Sequence, residues 1–177
     1  MDINPSADAF ANLATAYFYQ GDFAEAVEQY KQAMEVGGAN SDDYSLPGNL
    51  AEAYYWTPGK REQAKELYGQ AISRANKFLH VNPRDGSALS SLALYHAMLS
   101  DRQQASTYLQ RALQLAPEDP EIRLNAAKIA AQLGDKAIAL DAVAQARKLG
   151  VSPFLVRDDP VFHTLAADLQ FQQLAKP

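Results

Sequence analysis

Three histidines (His80, His96 and His163) and two acidic pairs (Asp42-Asp43 and Asp158-Asp159) are where metal or acid–base chemistry would first be sought. A metal site on a helix face needs a second imidazole or thiolate three or four residues away, and none of the histidines has one. The chain contains no cysteine, which removes disulfides and thiolate ligands and leaves the compartment undecided. Calcium loops space several oxygen ligands around a glycine, a pattern absent at both acidic pairs. Each pair instead precedes a helix-forming stretch, where carboxylates suit the positive end of the helix. His96 is expected to be a satisfied core histidine, and His163 is expected on the surface of a short helix. No glycine-rich phosphate loop, Gly-x-Ser-x-Gly elbow or kinase signature occurs. Glu52 and Lys128 are a base and an acid in principle, with no nucleophile or cofactor motif beside them. The expectation is a protein that is not an enzyme, with no catalytic residues, metal or cofactor.

Recognition is the remaining chemistry. Phe18-Tyr19 and Tyr55-Trp56 are adjacent aromatic pairs, and Trp56 is the only tryptophan. Rigid rings bury much area at low entropic cost and are the usual anchors of binding surfaces. Two readings stand for these four residues. Either they contact a partner, Trp56 foremost, or they pack between neighbouring helices as buried aromatics ordinarily do.

The elements that must position them are set by Leu13 to Ala33. Small residues (Ala14, Ala26, Ala33) alternate with large ones (Leu13, Tyr17, Phe23, Tyr30) on two amphipathic helices around Gly21-Asp22. Gly21 suits the left-handed turn that ends the first helix. Asp22 suits the cap of the second, with Glu25 completing a capping box. The order Leu-Ala, Tyr, Gly, Phe, Ala, Tyr, Ala resembles the tetratricopeptide repeat, a helix-turn-helix unit of 34 residues. The pattern recurs from Leu50-Ala51, Leu92-Ala93 and Ala126-Ala127. Leu50 and Leu92 lie 42 residues apart, eight beyond the period. One extra residue falls in the turn at Pro58-Gly59. The other seven, about two helical turns, predict a long helix from about Lys60 to His80, ended by Asn82-Pro83. Pro58 should end the preceding helix, and Ser6, Asp85 and Asp119-Pro120 mark helix starts.

Residues 153–177 break the repeat and contain an echo of their own. Asp159-Pro-Val-Phe162-His-Thr-Leu165 is followed by Asp168-Leu-Gln-Phe171-Gln-Gln-Leu174. Each copy predicts an Asp-capped short helix with Phe and Leu on one face. Together they are expected to cover the apolar end of the repeats. The tail is similar to the C-terminal repeat regions of bacterial multidomain regulators carrying a Ser/Thr kinase, nucleotide-cyclase or winged-helix domain. The expected architecture is all-α: a right-handed superhelix of four repeats (about 7–40, 44–82, 86–119 and 120–152) and a two-helix cap, in one domain of residues 1–177.

The resemblance implies a protein or peptide partner, held in a concave groove lined by the first helix of each pair. Carried over, the groove positions are Ala11, Thr15, Phe18 and Tyr19, then Gly48, Asn49, Glu52, Tyr55 and Trp56. The third repeat supplies Ser90, Leu94, Ala97 and Met98, and the fourth Leu124, Asn125, Lys128 and Gln132. The principal expected contacts are Thr15, Phe18, Tyr19, Asn49, Glu52, Tyr55, Trp56, Leu94, Met98 and Lys128. One family subgroup clamps a chaperone's C-terminal carboxylate with cations. Here Ala11, Thr15, Ser87 and Ser91 stand at those positions, and a clamp without cations cannot hold a carboxylate.

A net charge of −5 and a pI near 5.1 argue against nucleic acid as the partner. The uncharged stretch from Gly86 to Ser100 is too short to span a bilayer and reads as a buried helix. The N-terminus lacks a signal-peptide pattern. The chain is expected to be a cytoplasmic interaction module, the C-terminal piece of a larger bacterial signalling protein with a non-native Met1. A periplasmic or extracytoplasmic setting is the alternative if the parent is membrane-anchored. The alternative function is self-association as a homodimer through the long helix. A small-ligand or hydrolytic role is a third.

Overall fold

The computed structural model describes residues 5–37 and 43–177. They form ten α-helices and one 3-10 helix, with no strand among the described residues. The chain divides into two compact units, Met1–Asn76 and Lys77–Pro177.

In the first unit α1 (Ala7–Gln20) begins where the Ser6 hydroxyl accepts the Ala9 N–H. It ends at Gly21, whose φ of 86° puts it in the left-handed region. α2 (Phe23–Gly37) folds back on α1, and α3 (Ser45–Trp56) packs against α2. Ala14, Ala26 and Ala33 are fully buried, so the backbones approach closely, while Phe18 and Tyr30 fill the remaining space. α3 stops ahead of Pro58, with Thr57 extended, as a residue close to proline should be. The expected long helix is α4 (Arg61–Val81). Its Ala64, Tyr68, Ala71 and Ala75 are buried, so the extra two turns keep one apolar stripe. The expected loop from Gly37 to Asp43 lies largely outside the described residues, and so does Asp42 of the first acidic pair. Asp43 accepts the Ser45 N–H at 2.7 Å at the start of α3.

In the second unit α5 (Gly86–Met98) and α6 (Arg102–Leu115) form one hairpin, and α7 (Pro120–Gln132) and α8 (Lys136–Lys148) another. Asp85 caps α5 and Asp119 caps α7, each carboxylate accepting backbone N–H bonds at 2.8–3.0 Å. α5 packs beside α7, and the buried Ser90 hydroxyl accepts from Asn125 Nδ2 at 2.9 Å between them. Leu89, Leu92, Ile122 and Val143 are buried to within 1%. The third turn lacks a glycine, yet Ser100 takes the same left-handed conformation, φ 64°, that Gly21, Gly59 and Gly134 take in the other three.

The tail differs from expectation in number. It has three short elements rather than two: α9 (Pro153–Arg157), a 3-10 helix (Pro160–Leu165) and α10 (Leu169–Leu174). The last two are the echoed copies, capped by Asp159 and Asp168. The first starts at Ser152-Pro153, a cap followed by proline, a signal overshadowed by the two Asp-led copies. The 3-10 helix lies on α7 and α10 on α8. Val156, Val161, Phe162, Leu165 and Phe171 are buried there.

Candidate functional site

The aromatic pairs of the first unit stand at the C-terminal ends of α1 and α3. Tyr55 and Trp56 meet edge to face, ring centroids 5.2 Å apart. The Arg61 guanidinium, from the first turn of α4, sits 4.7 Å above the Tyr55 ring, a favourable cation–π geometry. These residues, with Thr57 to Gly59 and Glu62, line a recess of about 350 Å³. Gly59, with φ 74°, lets the chain turn tightly enough for Arg61 to return over the ring. Phe18 packs edge to face on Tyr19 at 5.4 Å and on Phe23 at 5.5 Å.

The two readings of the aromatic cluster divide by residue. Phe18 is buried in the core with Ala14, Val27 and Leu50. Tyr19 and Trp56 are half-buried and packed against that core. Tyr55 is half-buried on its indole and guanidinium neighbours. Thr15, Asn49 and Glu52 are also half-buried. The Thr15 hydroxyl donates to the Ala11 carbonyl at 2.9 Å and lies 2.9 Å from the Tyr30 hydroxyl.

In the second unit the expected groove positions are largely closed to solvent. Leu94 and Met98 are buried in α5. Lys128 is buried in α7, its ammonium 3.0 Å from the fully buried carboxylate of Asp159. The other Asp159 oxygen accepts the Val161 N–H at 3.0 Å. Lys128 therefore ties the tail to α7, and this is its visible role. Its ion pair joins residues 31 positions apart, so local pattern gives no hint of it. Asp158 is exposed enough to pair with Arg157 through two bonds of 2.6 and 2.7 Å, and these hold its carboxyl below the ordinary range. Asp168 is likewise held low, first by the Lys136 ammonium at 2.7 Å and then by the Phe171 N–H.

The histidines are not gathered. His96 stacks on Tyr108 at 5.5 Å, with Nδ1 3.3 Å from Asp101. His80 and His163 are exposed. Among the described residues no three His, Cys, Asp or Glu side chains converge as a metal site, and no helix is long and apolar enough to cross a membrane.

Helix pairs with small residues at the crossings, tight left-handed turns and an end-covering tail define a helical-repeat protein. Sequence comparison agrees: the tetratricopeptide repeat pattern matches residues 7–36, 54–120 and 99–153. The chain belongs to the tetratricopeptide repeat family. It is 27% identical over 141 residues to the Protein CTR9 homolog of Arabidopsis thaliana, covering 80% of this chain. The chain spans only 12% of that relative's length. Among solved structures it is similar to TTC0263, a thermophilic TPR protein of Thermus thermophilus. The likeness is 28% identity at a TM-score of 0.55, over 82% of this chain and 74% of that one. Proteins of this family generally mediate protein–protein interaction and are typically non-catalytic.

Proposed function

We propose that the chain is a non-catalytic interaction module that grips an extended peptide or a partner helix through the aromatic face of its first unit. The observation that carries this reading is the Tyr55–Trp56 pair, half-buried, braced by Arg61 and bordering an open recess. Pre-positioned rings lose little entropy on binding. Tyr19, Thr15, Asn49 and Glu52 are the contacts that extend the site, and Phe18 supports it from the core. In this proposal the module is the regulatory region of a larger bacterial signalling protein and works in the cytoplasm. A native transcript encoding an upstream catalytic domain supports that setting, and a reading frame matching Met1 to Pro177 alone overturns it.

Capture from lysate by the wild type and by a Tyr55→Ala, Trp56→Ala variant of unchanged helical content tests the site. A partner taken by the wild type and lost by the variant is the expected result. Equal capture by both removes the aromatic face from the mechanism. Because Trp56 is the only indole, the captured segment as a synthetic peptide should also shift the intrinsic fluorescence.

A further inference from the structure

The two Asp-led copies in the tail are held in the second unit by the same arrangement. In each, one carboxylate oxygen caps its own short helix and the other meets a lysine of the fourth helix pair. Asp159 accepts the Val161 N–H at 3.0 Å and faces the Lys128 ammonium of α7 at 3.0 Å. Asp168 accepts the Gln170 and Phe171 N–H groups at 2.8 and 3.1 Å and faces the Lys136 ammonium of α8 at 2.7 Å. Three residues after each acid comes a buried phenylalanine, and the Phe162 and Phe171 rings lie 5.8 Å apart. Leu165 behind the first is buried and Leu174 behind the second half-buried. α7 and α8 thus form a seat whose two lysines meet the acids of two consecutive motifs.

Covering apolar surface does not by itself call for these charges. Lys136 is the first residue of α8, where the helix dipole favours an anion, and Asp168 offsets that. Lys128 is buried, which is costly unless a carboxylate meets it. The two ion pairs therefore fix which segment fits the seat and in which register. That segment belongs to the chain itself, so every copy carries both halves of the contact. Residues 159–174 of a second copy would make the same caps, ion pairs and ring contact. Only the connection from α8 to the tail would change. It is short, with α8 ending at Lys148, α9 starting at Pro153 and Gly150 between them at φ 93°. Exchange of an identical element across such a hinge is a low-cost route to a dimer. The tether opposes it with an effective concentration of about 1 mM, so exchange is expected as the chain approaches that concentration.

We propose that the α7–α8 seat takes the tail of a second copy, so that two chains exchange residues 153–177. Each then supplies Asp159 and Asp168 to the other's Lys128 and Lys136. The contact uses neither the Tyr55–Trp56 face nor the long helix α4.

The test is charge-reversal complementation in the full chain. Lys136→Glu places two acids at the outer pair, and Asp168→Lys places two bases there. The inner Lys128–Asp159 pair is untouched in both, and circular dichroism checks the fold. Only exchange between the two variants restores opposite charges at both outer pairs. The variants are refolded from urea together at about 1 mM, and native mass spectrometry counts the species. Two surface pairs turned from repulsive to attractive should make the heterodimer roughly tenfold more abundant than either homodimer. High salt should return it toward its statistical share. A mixture without dimers overturns the proposal. So does a heterodimer at its statistical share in low salt, which assigns association to another face. The wild type supplies a readout that needs no variant. Refolded in the same way, it should show a dimer fraction by light scattering, and a wild type that stays monomeric up to about 1 mM overturns the proposal as well.

Discussion

Ser100 shows what a single residue tolerates for the sake of a turn. A side chain in the left-handed region costs roughly 1–2 kcal/mol, and glycine in its place carries a larger unfolded-state entropy of roughly 0.5–1 kcal/mol. Ser100 is exposed, so its side chain has little burial to forfeit. Ser100→Gly should therefore stabilise the protein by about 0.5–1 kcal/mol, read as a higher urea midpoint with an unchanged slope. Asp168 gives the pH counterpart. Its folded carboxyl is held below its unfolded value by Lys136 and the Phe171 N–H. The stabilisation is complete above the ordinary carboxylate pKa, near 3.9, and is lost as pH falls through the lower folded value. Thermal midpoints between pH 6 and 2 should show this acid-side loss in the wild type. Asp168→Asn should show a shallower one. At this scale the Asp caps are legible from sequence, because a cap needs only its own next three residues. The Lys136–Asp168 pair is not, because its partners lie in different elements.

At the scale of elements, the 3-10 helix on α7 is fastened by one buried ion pair. Removing a single partner leaves an uncompensated charge in the interior, which costs about 3–5 kcal/mol. Lys128→Met alone should destabilise by that amount. Adding Asp159→Asn, which removes the negative charge and keeps an oxygen for the Val161 N–H, should restore most of it. A double-mutant cycle in urea measures the coupling, and additive losses would show that the pair does not act as a unit. Sequence pattern places Lys128 on the groove side of its helix by resemblance, where a solvent-facing contact is expected. In the structure Lys128 is buried beneath the tail, its ammonium met by the Asp159 carboxylate, since a buried charge is costly unless it is paired. α4 is the opposite case. Its extra two turns are legible as a seven-residue insertion, because heptad-length additions preserve a helix face.

For the whole molecule, the tail matters more than its three short elements suggest. α9, the 3-10 helix and α10 bury Val156, Val161, Phe162, Leu165 and Phe171 in the second unit. Terminal units of repeat proteins need such a cover for solubility. Deleting residues 153–177 should leave the helices of both units largely formed by circular dichroism and yet abolish monodispersity in size-exclusion light scattering. A truncated protein that stays as monodisperse as the full chain would remove the tail from that role. By itself the sequence determined the all-α class, the helix-turn-helix pattern, the long fourth helix and the two Asp-led caps of the tail. Each of these depends on residues within one or two turns of each other. Only the tertiary structure decided which aromatic residues are core and which half-buried, and that Lys128 is buried against Asp159. Burial and charge pairing are properties of what the rest of the chain brings alongside a residue, and local spacing carries no record of that.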